Sequence, residues 1–192
     1  TDIKWVEIDS CYIFHPLNAY DAPDGTVVLD AVRHEKMFDV EQRGPNEGFP
    51  TLDRWVLNPK TGKATEQRLD DRPQEFPRIN ESLIGMQHNF GYLAGISDVF
   101  RQADLIKQDL AKQSTQVRHD GENFGYGEPV FIARNGAKSE DDGYVMALRH
   151  NTETDLSDLV VLDAQDFCGE PVAIVHLPAR VPNGFHGNWI AD

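Results

Sequence analysis

The chain has 192 residues, enough to bury a sizeable core in one domain, and its 18 Lys and Arg against 32 Asp and Glu give a net charge of −14. That charge repels phosphate backbones and anionic headgroups, which argues against nucleic-acid binding and leaves membrane contact at most peripheral. Cys11 and Cys168 lie far apart without a CxxC spacing, so a disulfide framework and a thiolate zinc site are both disfavoured.

A reducing, cytoplasmic compartment suits those cysteines, which read as buried small hydrophobes. The N-terminus, Thr1-Asp2-Ile3-Lys4-Trp5, lacks a signal-peptide pattern, and starting without Met is expected of a fragment or a processed chain. Near it stands Phe14-His15-Pro16-Leu17-Asn18-Ala19-Tyr20-Asp21, in which turn-forming residues flank a histidine. A histidine so placed can project from a strand end into a cavity. Asn18 and Asp21 are expected to stabilise the backbone around it.

Strand signals then dominate. The segments 27–32, 54–57, 129–133, 143–148, 159–162 and 172–175 are short, β-branched or aromatic, and bounded by turn residues. Asp24-Gly25, Asn58-Pro59-Lys60-Thr61-Gly62 and Asp142-Gly143 supply tight turns between them. The exception is the stretch from Val99 through Leu110, where the apolar spacing suggests a short helix. A strand, polar turn, strand unit recurs with turns beginning at 58, 108 and 162, steps of 50 and 54 residues. That period suits a four-stranded propeller blade, and three blades make part of a ring; a β-sandwich remains if the period is accidental.

Glu75 and Glu128 are 128 − 75 = 53 positions apart, one such repeat, which would aim both at a central axis. Carboxylates there suit metal-binding histidines, because accepting the distal ring N–H fixes the tautomer and points the other nitrogen at the metal. The second histidine of this kind is His186, in Val181-Pro182-Asn183-Gly184-Phe185-His186-Gly187.

Five segments, taken in order, resemble the C-terminal part of the carotenoid cleavage oxygenases: the one around His15, Glu75-Phe76-Pro77-Arg78-Ile79-Asn80, Gly127-Glu128-Pro129-Val130-Phe131, Glu140-Asp141-Asp142-Gly143-Tyr144-Val145 and Pro182-Asn183-Gly184-Phe185-His186-Gly187. That family includes carotenoid, apocarotenoid and stilbene dioxygenases and a retinoid isomerohydrolase. The resemblance implies an all-β, seven-bladed propeller, with residues 1–192 as the C-terminal portion of its single domain. It implies an axial non-haem Fe(2+) on four histidines, His15 and His186 among them, with Glu75 orienting His15 and Glu128 orienting His186. The other two histidines and a third glutamate would come from an N-terminal part of the same protein. The implied reaction is O2-dependent cleavage of an apolar alkene, with Phe14, Phe185 or Trp189 available to line a tunnel, although each by itself reads first as an ordinary core aromatic.

Other motifs take ordinary readings. His34, His88, His119, His150 and His176 read as structural or surface histidines. Glu140-Asp141-Asp142-Gly143 lacks the alternating ligands of a calcium loop and reads as a hairpin turn. Two histidines alone are too few to hold iron tightly, so a catalytically inactive propeller fragment serving as a scaffold is the competing function.

Overall fold

The structure, a computed structural model, describes residues 2–42, 47–98 and 101–191. It consists of three antiparallel sheets, each formed by strands consecutive in sequence. The first contains β1 (Pro16–Asp21), β2 (Val27–Arg33), β3 (Thr51–Asn58) and β4 (Lys63–Asp70), paired in that order. The second contains β5 (Gln74–Arg78), β6 (Phe90–Asp98), β7 (Arg101–Asp109) and β8 (Ser114–Arg118).

The third sheet runs from β10 (Val130–Ala133) through β11 (Gly143–Asn151) and β12 (Leu156–Asp163) to β13 (Ala173–His176). A short β9 (Phe124–Tyr126) pairs with the far end of β11. β9 and β10 therefore lie along one edge of β11 as a broken strand, with Gly127-Glu128-Pro129 in the break.

Among the described residues the only helical element is a 3-10 turn, Glu81–Leu83. The helix expected from Val99 to Leu110 is absent from the described part: residues 101–109 form β7, and Val99 and Phe100 lie outside it. Leu105 and Ile106 explain the misreading. In β7 they face the two neighbouring sheets on opposite sides, so both are buried without any helical stripe. The three-part repeat does mark the third-to-fourth strand connection of each sheet, although the second turn occupies 110–113 rather than starting at 108.

The core lies between sheets. Leu17, Val32 and Leu52 of the first pack against Ile79, Leu93 and Ile106 of the second. Tyr92 and Leu105 of the second meet Phe131, Val145, Val160, Leu162 and Phe167 of the third. Side chains alternate across each strand, so a sheet buried on both faces bonds to both neighbours through packing. Among the described residues no helix is long and apolar enough to cross a membrane. Both cysteines are free, but Cys11 is only partly buried and Cys168 is exposed, against the expectation of burial.

Candidate metal centre

The first strands of the three sheets converge at one end, and each brings a polar group there. His15 immediately precedes β1, Glu75 lies in β5, and Glu128 occupies the break between β9 and β10. His186 differs: it lies on the irregular segment after β13, not at a strand end as expected.

The structure brings all four together. His15 Nδ1 lies 2.7 Å from Glu75 Oε2, and His186 Nδ1 lies 3.2 Å from Glu128 Oε1. The two Nε2 atoms face each other 3.3 Å apart. When each Nδ1–H donates to its carboxylate, both Nε2 atoms of neutral rings are bare acceptors. Two lone pairs at that distance require a cation or a proton between them. Metal–imidazole bonds are roughly 2.1 Å, so a 3.3 Å separation suits two neighbouring ligands of one ion. The donor set therefore fits a metal from one side only: among the described residues no group of three or more His, Cys, Asp or Glu side chains forms a cage.

Glu75 is more than a partner of His15. Its other oxygen, Oε1, lies 3.0 Å from His34 Nε2, and the Phe76 N–H donates to Oε2 at 2.6 Å. Burial drives the Glu75 carboxyl pKa up, but the hydrogen bonds from His15, His34 and Phe76 outweigh it and hold the group below its ordinary range. Glu75 in return raises His15, first through their hydrogen bond, against the opposing effect of burial. His34 is thus a structural histidine, as expected, but its place beside Glu75 leaves no local trace in the sequence, since the two stand 41 positions apart.

Phe76 has a left-handed φ of 54°, a conformation that costs a non-glycine residue on the order of 1 kcal/mol or more and that clusters at functional sites. Its ring sits 5.1 Å from the His15 ring and 6.0 Å from that of His186. A cavity of about 780 Å³ opens beside His15, walled by Phe14, Phe38, Phe49, Phe76, Leu148 and Phe185. Phe14 and Phe185 thus line it rather than sitting in the core, whereas Trp189 does neither and is half exposed.

Asn18 does support backbone, but at a distance: its amide donates to the carbonyls of Leu83 and Met86 and its oxygen accepts from Gly85 N–H. Glu140 likewise ties two sheets, accepting from the backbone N–H groups of Asn89 and Phe90.

Comparison with known proteins places this geometry. The family described as RPE65, Retinal pigment epithelial membrane protein, matches residues 1–191. A carotenoid cleavage oxygenase of Mycobacterium tuberculosis is 44% identical over 98% of this chain and 39% of its own length. The chain belongs to the carotenoid cleavage oxygenase family. A carotenoid 9,10(9',10')-cleavage dioxygenase 1 of Arabidopsis thaliana is 32% identical over 99% of this chain and 38% of its own length.

Among solved structures, cobalt-substituted ACO of Synechocystis superposes with a TM-score of 0.93 at 25% identity, covering 100% of this chain and 42% of that one. The three sheets are accordingly blades of the family's seven-bladed β-propeller, and the chain spans about two fifths of the length of the relatives it matches.

Proposed function

We propose that this chain is the C-terminal portion of a single-domain, non-haem Fe(2+) dioxygenase that cleaves a carbon–carbon double bond of a carotenoid, apocarotenoid or stilbene with O2. The reading rests on one observation: His15 and His186 present facing Nε2 atoms, each ring oriented by its own carboxylate, beside an aromatic cavity. Bound iron would supply redox activation of O2 toward an electron-rich alkene, yielding two carbonyl fragments; imidazole donors suit that metal.

The chain's own residues do the remainder. Glu75 and Glu128 hold the Nδ1 protons, which keeps each Nε2 lone pair available and offsets cationic charge. The walls formed by Phe14, Phe49 and Phe185 offer an apolar face on which a flat polyene or stilbene can be buried. His34 locks the second oxygen of Glu75 so that the carboxylate cannot rotate away from His15. The two remaining histidines and a third glutamate would come from the part of the protein outside this chain, and the two free cysteines suit a reducing, cytoplasmic setting.

Elemental analysis tests this on the chain and on the protein extended upstream, both purified under nitrogen with ferrous iron. The extended protein is expected to hold about one iron, to lose it in His186→Ala, and to cleave alkenes with O2. A second reading, an inactive propeller module acting as a scaffold, is favoured by the presence of only two histidine donors among the described residues. Iron absent from both forms would favour that reading instead.

A further inference from the structure

β5 carries a second charged residue at this site. Arg78 follows Glu75 by three positions, and on a regular strand such residues face opposite sides of the sheet. A bulge reverses that. Glu75 pairs with Ala94 and Arg78 with Tyr92, residues only two apart on β6, so Glu75 and Arg78 return to one face.

Both terminal nitrogens of the Arg78 guanidinium are engaged. Nη1 donates to the Gly187 carbonyl at 2.9 Å and sits 3.1 Å from Glu128 Oε2, while Nη2 donates to Asn188 Oδ1 at 3.2 Å and pairs with Glu81. Glu128 Oε2 also accepts the Gly187 N–H at 2.9 Å. The residue after His186 is thus held at its N–H by Glu128 and at its carbonyl by Arg78. This matters because His186 sits on a segment without strand pairing and its side chain is 57% exposed, whereas Glu128 is 6% exposed and its charge needs a partner.

We propose that Arg78 is a positioning residue of the metal centre, fixing His186 through the Glu128 carboxylate and the Gly187 peptide. The proposal rests on the reading of His15 and His186 as metal ligands. Nη1 reaches the carboxylate and the carbonyl while Nη2 is anchored by Glu81 and Asn188; a lysine ammonium replaces the charge but, with one nitrogen, cannot serve both sets of partners. Glu75 and Arg78 on one bulged strand then set both histidines at once.

The test uses the upstream-extended protein stripped of metal and titrated with cobalt(II), reading affinity from the visible absorption bands and the unfolding temperature of the metal-free form. Arg78→Lys is expected to bind cobalt about tenfold more weakly, in line with partners that orient metal ligands, with an unchanged metal-free unfolding temperature. Arg78→Ala is expected to bind more weakly still and to recover with added guanidinium below denaturing concentrations. Wild-type affinity in Arg78→Lys would overturn the proposal, and that variant decides alone should Arg78→Ala fail to fold. Absence of cobalt binding by the wild-type protein would sink the metal reading itself, and this inference with it.

Discussion

The two histidines are held by unlike means. His15 enters a strand, and its carboxylate, 7% exposed, is locked between two histidines and a backbone N–H. His186 hangs on an irregular segment, 57% exposed, and depends on a polar latch of Glu128, Arg78 and the Gly187 peptide. One half is built by the core and the other is fastened onto it. Ligand affinity and fold stability should therefore separate: damage on the His15 side costs both, and damage on the His186 side costs affinity alone.

The sharpest break comes from His15→Ala and His186→Ala in the extended protein. Each is expected to lower metal affinity by about 100-fold or more, beyond what loss of a mere orienting partner costs. Urea denaturation of the metal-free forms should tell them apart, with His186→Ala within about 0.5 kcal/mol of wild type, as surface changes are. A large loss there would mean that the latch is part of the core.

Next in size, Glu75→Ala leaves buried His34 without its acceptor and His15 without its own, an expected loss of about 1 to 3 kcal/mol in the same denaturation. His34→Phe keeps an aromatic ring against Phe14, 5.2 Å away, but removes one hydrogen bond to Glu75. About 1 kcal/mol should follow, with no increase in proteolysis of the segment around His186. Faster cleavage there would show the two halves to be coupled.

The smallest effect lies outside both halves. Burial lowers the pKa of His88, partly offset by Asp30 and Glu140 and reinforced by Arg54. Its Nδ1 faces the Asn18 amide at 3.2 Å, which disfavours a second ring proton. The unfolded chain takes that proton near the ordinary value of 6.5 and the folded one only lower, so stability falls as pH drops below about 6.5. His88→Gln should flatten the decline between pH 7 and 5 in thermal unfolding.

The legible strands were those rich in β-branched residues, such as β2, β3 and β11. β4, KATEQRLD, and β8, STQVR, are mostly polar outer strands and carry no such signal. β6 escaped for another reason: it is built on Gly91, Ala94 and Gly95, where a side chain on Gly91 would come 3.1 Å from Leu17 and one on Gly95 3.0 Å from Asp104. Packing, not propensity, selects those residues. At the site, the pairing of each histidine with its glutamate followed from motif resemblance. The grip of Arg78 on the Gly187 carbonyl joins positions 109 apart through a bulge, and no local pattern announces it.

His15 and His186 are separated by 171 positions yet nearly touch. A ligand gripping both would act as a reversible cross-link, comparable in topology to a disulfide over nearly the whole chain. Closing a loop of that length costs an unfolded chain on the order of 5 kcal/mol in configurational freedom. Folding spends that entropy before any ligand arrives, so the ligand meets two chain ends already joined and keeps its binding energy for holding them there.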